Sequence, residues 1–218
     1  MTDILRNATL ADVPGISHLL TSVSVNDDPE FQLMVSSKIV PKQELIEYII
    51  QTHTHPSVIN NPCSLVIESA SSGEIIGFRL SEPYPNLDTV SLEKQLIEKS
   101  PGLKKRHRFF ADLEESITNP NNTGISFLQL TVAPHYRKKG LATQLVKKSI
   151  SIAKNSGVSF IKVCAASEYS CRIFKKLGFH KISEIDYKTY EQNGIHFFDP
   201  SLIKVHSRIV LYVLYPSL

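Results

Sequence analysis

Apolar and polar positions alternate with two different periods along this chain, and the change of period marks its elements. Residues 4–8 read as a short first strand. Thr9 follows as an N-cap, with Asp12 three residues on in a capping-box-like start. Val13, Ile16, Leu19 and Leu20 then recur at helical spacing. Beyond an Asn26-Asp-Asp-Pro29 turn, Pro41 opens a second helix to about Thr52, with Leu45, Tyr48 and Ile49 on one face. Residues 64–68 and 74–80 form two strands around a hairpin turn at 70–73. Residues 84–124 differ in texture: two helical segments, 89–99 and 103–117, stand between Pro- and Asn-rich joints. They are expected to form an insertion packed on the core of one domain spanning residues 1–218, between the third and fourth strands.

The second half is the more regular. A strand at 125–132 leads to a helix at 141–156, which Gly157 ends, and a strand follows at 158–163. A helix over 167–177 stops at Gly178, and two strands, 181–189 and 205–215, close the chain. This βαβα centre with antiparallel hairpins at the ends predicts an α/β (mixed α+β) fold. It would hold a twisted mixed sheet of about seven strands with helices on both faces.

The joint between residues 127 and 143 carries the clearest chemistry. An apolar strand runs into Pro134, then the basic turn Arg137-Lys-Lys-Gly140, then an amphipathic helix. Helix N-termini hold unpaired N–H donors and a partial positive charge, which suits them to phosphate. Gly140 permits close backbone approach, small Ala142 reduces crowding, and Arg137, Lys138 and Lys139 add charge. The other common phosphate turns, G-x-x-x-x-G-K-[S/T] and G-x-G-x-x-G, are absent.

Composition narrows the setting. With 42% hydrophobic and 21% charged residues, the 218-residue chain has the make-up of a soluble globular protein. No apolar run approaches the ~20 residues that span a bilayer, and the start lacks a signal-peptide core. Cys63, Cys164 and Cys171 lack C-x-x-C spacing and read as reduced thiols of a cytoplasmic protein. The net charge of +3 is mild, and the run Lys104-Lys-Arg-His-Arg108 beside Phe109, Phe110 and Leu113 reads as a solvated helix surface. Neither a nucleic-acid nor a membrane partner is expected. His53 and His55 have no further ligands nearby in sequence, so no metal is expected.

Arg137-x-x-Gly140-x-Ala142 after a strand resembles the acyl-CoA pyrophosphate loop of the GNAT superfamily of N-acetyltransferases. Lys175-Lys-Leu-Gly-Phe179 resembles that superfamily's recurrent Y-x-K-L-G-F. The segment Ser167–Phe179, the Asn26–Pro29 turn and the stretch from Tyr190 to Phe198 look most like the insect-type arylalkylamine N-acetyltransferases. The resemblance implies a fourth and fifth strand that splay apart, with acetyl-CoA as co-substrate lying in the opening. It further implies coenzyme contacts at Leu130, Thr131, Val132, Arg137, Lys138, Lys139, Gly140, Leu141, Ala142, Thr143, Ser167, Ser170 and Phe174. A donor for the oxyanion would be a backbone N–H at about 130–132.

The implied reaction is acetyl transfer to a small primary amine. A general base must first deprotonate the ammonium. Asp28 stands where the insect-type enzymes place a catalytic Glu, and it equally suits a cap before Pro29; Glu30 and Glu47 are alternatives. Phe174 occupies the position of the superfamily's acidic tyrosine and cannot donate a proton. Of two serines in the insect-type enzymes, one falls on Ser170 and the other on Ala166, so Ser170 is the candidate acid-side residue, with Tyr169 one place away. Cys164 and Cys171 read as buried small hydrophobes, and His135 as a surface or phosphate-contacting residue. The acceptor is expected to be an arylalkylamine, held by some of Phe31, Met34, Phe109, Phe110, Phe197 and Phe198. A polyamine or agmatine remains open, held by Asp27, Asp28, Glu30 and the carboxylates of 112–115, as does a non-catalytic acyl-CoA-binding module. A monomer or weak homodimer is expected.

Overall fold

The computed structural model describes residues 2–117 and 123–216. Strand β1 (Ile4–Asn7) is followed by a 3-10 turn at Leu10–Asp12 and helix α1 (Val13–Leu19). That helix widens into a π-turn at Leu20–Ser24 before the single turn α2 (Val25–Asp27) and helix α3 (Pro29–Ser36). Helices α4 (Lys42–His53) and α5 (Pro56–Ile59) precede strands β2 (Leu65–Glu68) and β3 (Ile75–Tyr84). The insertion holds α6 (Leu87–Lys99) and α7 (Pro101–Glu114); its residues 118–122 lie outside those described. Then come β4 (Gly124–Val132), α8 (Leu141–Asn155), β5 (Phe160–Ala165), α9 (Glu168–Lys176) and β6 (His180–Asp186). A two-stranded ribbon of β7 (Glu191–Gln192) and β8 (Ile195–His196) leads to β9 (Arg208–Leu214).

The seven-stranded sheet has the order β1-β2-β3-β4-β5-β9-β6. All neighbours are antiparallel except β4 and β5, which pair in parallel only from Gly124↔Phe160 to Phe127↔Val163. Beyond Phe127 strand β4 runs on to Val132 beside β3 alone, so its other edge offers unpaired backbone groups. A bulge contributes to this parting. Leu80 pairs with Gln129 but Ser81 with Phe127, leaving Leu128 as the extra residue. Bulges re-aim side chains and are frequent beside active sites.

Two apolar layers sandwich the sheet. On one face Phe78 and Leu80 pack with Ile16, Leu20, Met34, Leu45, Phe109 and Tyr187, from helices α1, α3, α4 and α7 and the segment after β6. On the other, Phe127 and Ile161 pack with Val146, Ile150 and Phe174, from α8 and α9. The helices expected at 89–99 and 103–117 are α6 and α7, and they cover the first face. Helix α3 was not anticipated, because Pro29 reads as the end of a turn when it is the first residue of a helix capped by Asp28. No helix of the described residues is long and apolar enough to cross a membrane.

The insertion is seated by a close backbone approach. A Cβ on Gly102, in the first turn of α7, would collide with the Ile39 carbonyl and the Val40 backbone. We therefore expect Gly102→Ala to destabilise the fold by about 1–3 kcal/mol, the range for overpacking a fitted contact. Chemical denaturation should show it as a lower midpoint at unchanged slope.

Candidate active site

Strand β4 ends at Val132, and a 3-10 turn at Pro134–Tyr136 delivers the chain to the basic loop. Lys138 (φ 62°) and Gly140 (φ 80°) are both left-handed, a backbone pattern that turns neighbouring amides into one concavity. The N–H groups of Lys138, Lys139, Gly140, Leu141, Ala142 and Thr143 have no acceptor among the described residues. A Cβ on Gly140 would meet nothing within 4 Å, so the face above it is open. The loop thus presents free amides at the head of a 15-residue helix, the arrangement that binds a diphosphate.

Arg137 has a different task from its lysine neighbours. Its Nε donates to the Val132 carbonyl at 3.0 Å, and its guanidinium pairs with Asp27 at 2.5 Å. It therefore ties the loop both to β4 and to the turn that carries Asp28. Lys139 lies 5.0 Å over the Tyr136 ring. Beside the loop a cleft of about 290 Å³ runs between α8 and α9, lined by Thr143, Lys147, Arg172, Ile173, Lys176 and Leu177. Its three cations were missed in the sequence, because only the packing of α8 on α9 sets Lys147 opposite Arg172 and Lys176.

At the parting strands, Leu130 is half-buried, and the Thr131 hydroxyl shares a 2.7 Å hydrogen bond with that of Ser24 in the π-turn. On the β5 side, Ser167 caps α9 by accepting from the Ser170 amide at 3.1 Å. The Ser170 hydroxyl donates to the Ser167 carbonyl at 2.8 Å and lies 2.9 Å from the Ser167 hydroxyl. Ser170 is thus engaged in holding the helix start. Phe174 is buried with its ring 5.2 Å from that of Phe179, while Tyr169 is exposed beside His206. His135 is exposed.

Across the opening, the two carboxyl oxygens of Asp28 differ in their contacts. Oδ1 accepts from the amides of Glu30 (2.9 Å) and Phe31 (3.4 Å), capping α3. Oδ2 has no partner among the described residues. Burial, with the charge of Glu30, pushes the Asp28 carboxyl up to about 7, while its two amide donors and Arg106 restrain the rise. Glu30 itself is held by Arg106 through two bonds, 2.8 and 3.1 Å, and Glu47 is exposed on α4. Arg106 belongs to the run expected to be a solvated helix surface. Lys104, Lys105, His107 and Arg108 are exposed as expected, but Arg106 turns inward beneath the rings of Phe31, Tyr48 and Phe110. Helical spacing explains this: residue 106 shares its face with Phe109, Phe110 and Leu113.

Further along the same face lies a polar layer between the sheet and the insertion. Ser126 on β4 pairs with Glu82 on β3 and with Lys162 on β5, so the three stand in one row. Lys162 bonds Glu114 of α7 at 2.5 Å and lies 4.2 Å over the Tyr84 ring. Burial pushes Glu82 up to about 7 against a 2.7 Å bond from Asn86, and burial likewise raises Glu93 of α6. Both were missed in the sequence. Glu82 shares the inward side of β3 with Phe78 and Leu80, so strict alternation was the signal that could have found it. Burial holds His53 at about 3, so its imidazole is neutral.

Of the carboxylates named for a polyamine, Asp27, Glu30, Asp112 and Glu114 are each matched by a cation: Arg137, Arg106, Arg108 and Lys162. Of the aromatic set, Phe31, Met34, Phe109, Phe197 and Phe198 are buried core residues, and Phe110 keeps accessible surface. Cys164 is not enclosed by hydrocarbon alone, since its thiol donates to Glu114 at 3.4 Å. Burial raises all three thiols, Cys63 to about 11, so none supplies a thiolate at neutral pH. No group of three or more metal-ligating side chains among the described residues could hold a metal ion.

An amide-lined loop beside two parted parallel strands, with the half-buried Asp28 carboxylate nearby in the turn that Arg137 braces, suits acyl transfer. The chain belongs to the Acetyltransferase (GNAT) family, which it matches over residues 33–179. Among solved structures it is similar to arylalkylamine N-acetyltransferase 2 from Aedes aegypti, with 19% identity and a TM-score of 0.79 over 99% of this chain and 100% of that one. It is also similar to a mosquito arylalkylamine N-acetyltransferase like 5b, with 18% identity and a TM-score of 0.73 over 98% and 100%. A third is the Drosophila melanogaster polyamine N-acetyltransferase that forms N-acetylagmatine, with 16% identity and a TM-score of 0.72 over 98% and 100%. No curated protein matches the chain in sequence.

A valine at position 140 would have to adopt a left-handed backbone and would project into the open face of the loop. Gly140→Val is expected to weaken acetyl-CoA binding by tenfold or more, as isothermal titration calorimetry can measure.

Proposed function

We propose that this protein moves the acetyl group of acetyl-CoA to a small primary amine by direct attack, in the cytoplasm, with Asp28 as general base. The observation that carries this reading is Asp28 itself. One oxygen is fixed by the helix cap, the other is free, and the carboxyl sits near 7, where a base works best at neutral pH. Asp28 takes a proton from the ammonium. The freed nitrogen bonds to the acetyl carbon, a β4 amide at residues 130–132 steadies the oxyanion, and the carbon–sulfur bond breaks. The thiolate leaves, and the second proton lost from the attacking nitrogen passes to it, giving the neutral amide and the CoA thiol. The loop amides of residues 138–143 take the coenzyme's diphosphate, and Lys147, Arg172 and Lys176 suit its phosphorylated far end.

The acceptor we favour is an arylalkylamine, its ring set among Tyr48, Tyr84 and Phe110, which keep accessible surface beside Arg106 and Lys162. A second reading, a diamine, polyamine or agmatine, rests on Glu82 and Glu93. Among the described residues neither forms an ion pair, and both would gain from a second positive charge.

Thiol release from acetyl-CoA with tryptamine, tyramine, spermidine and agmatine separates these readings. No release with any amine, together with intact coenzyme binding, would leave a binding module. For the base, Asp28→Asn is the informative change, because asparagine caps a helix about as well as aspartate. We expect kcat to fall about 100-fold or more. The wild-type acid limb, rising through about pH 7, should vanish in the variant. Stability supplies the opposite sign. A carboxyl raised in the fold favours the folded state at low pH, and that contribution is lost as pH rises from about 4 to about 7. Asp28→Asn should therefore melt no lower than wild type at pH 8.

A further inference from the structure

Two side-chain bridges join the turn that carries Asp28 to successive residues of β4. The first is buried: the hydroxyls of Ser24, the last residue of the π-turn, and Thr131 lie 2.7 Å apart, across 107 positions of sequence. The second is exposed: Asp27 pairs with Arg137 at 2.5 Å, and Arg137 Nε donates to the Val132 carbonyl at 3.0 Å.

The buried bridge leads directly to Asp28. The Ser24 carbonyl accepts from the Asp28 amide at 2.8 Å, so two short hydrogen bonds connect Thr131 to Asp28 with Ser24 alone between them. The Ser24 hydroxyl also lies 3.5 Å from the Leu19 carbonyl, five residues back, which the π-turn brings within reach. With Thr131 donating to Ser24 and Ser24 donating to Leu19, both hydroxyl protons are used.

At its other end the bridge holds the parted stretch of β4. Alternate residues of an antiparallel pair turn their backbone groups towards the partner strand. The Ala133 amide donates to the Ile76 carbonyl at 2.8 Å, and the register is unbroken from Gly77↔Val132 to Leu80↔Gln129. Thr131 therefore bonds β3 through its main chain, while the amides of Leu130 and Val132 turn to the opening, as does the Val132 carbonyl that Arg137 reaches. Thr131 thus stands between the two amides that can meet an oxyanion, and its side chain holds the turn of the base.

We propose that Ser24 is a positioning residue for acetyl transfer: its hydroxyl, bound to Thr131, sets the distance between the Asp28 turn and the Leu130 and Val132 amides. The proposal rests on Asp28 being the base. The amine must reach both the base and the acetyl carbon, so the spacing of these groups governs the rate. A displacement of about 1 Å can cost about 100-fold. The buried bridge holds that spacing more firmly than the exposed ion pair, which water screens.

Ser24→Ala removes the bridge and leaves both cap bonds of Asp28 in place. The expected result is a kcat lower by about 10-fold or more, with the acetyl-CoA dissociation constant unchanged in calorimetry. The variant should melt about 2–6 °C lower, since one buried hydroxyl is left unpaired, and should stay folded under assay. Thr131→Val breaks the same bond from the other side, and the double variant should be no slower than the slower single one. In an Asp28→Asn background, Ser24→Ala should cause no further loss of kcat, because no base remains to be placed; a general weakening of the fold would lower the rate in both backgrounds. Wild-type kcat in Ser24→Ala, a loss of acetyl-CoA affinity that accounts for the lower rate, fully additive effects of Ser24→Ala and Thr131→Val, or an equal loss in the Asp28→Asn background would each overturn the role of Ser24 alone. Full activity of Asp28→Asn, or a wild-type protein that acetylates none of the four amines, would instead overturn the base assignment, and Ser24 with it.

Discussion

The packing around Asp28 depends on one buried ion pair. Arg106, from the helical insertion, grips Glu30, from the first turn of α3, through two hydrogen bonds. Removing one partner of such a pair leaves an uncompensated charge and costs about 3–5 kcal/mol. Here that charge would sit two residues from Asp28, whose carboxyl responds to both. The pair therefore does three jobs together. It docks α7 on α3, fixes the helix whose cap is Asp28, and sets the field in which Asp28 titrates.

A second constraint acts through the sheet. Strands β4 and β5 hold together for four residue pairs and then part, because the bulge at Leu128 changes the phase of β4 while β3 continues to pair with it. The parting exposes backbone groups next to the amides of the basic loop, and Arg137 anchors that loop to β4 and to Asp27. The basic loop, the parted edge of β4 and the turn at Asp27 are thus braced against one another through Arg137. The polar layer of Glu82, Ser126, Lys162 and Glu114 extends the same face towards α6 and α7.

Much of this was visible in the residues. Helix α8 and its loop were placed to within a residue, since a proline, a basic turn, a glycine and a strong 3.6 period all agree there. Strands β2 to β6 and the two insertion helices followed from period and punctuation. Helix α3 escaped because a proline can close a turn or open a helix, and only the Asp28 cap decides between them. Asp28 could be named from position, yet which of its two oxygens the helix cap engages could not. Ser170 was named for its hydroxyl, which the cap of α9 engages.

Local pattern determined most of the strands and helices, the basic loop and the resemblance to the family, because each depends on residues within about twenty positions of one another. Tertiary structure decided what no local window contains. It turned Arg106 inward to Glu30, set Ser126 between Glu82 and Lys162, and gathered Lys147, Arg172 and Lys176 on one cleft. These are meetings between residues 25 to 76 positions apart, and their energies come from desolvation and pairing, which exist only after the chain has closed around them.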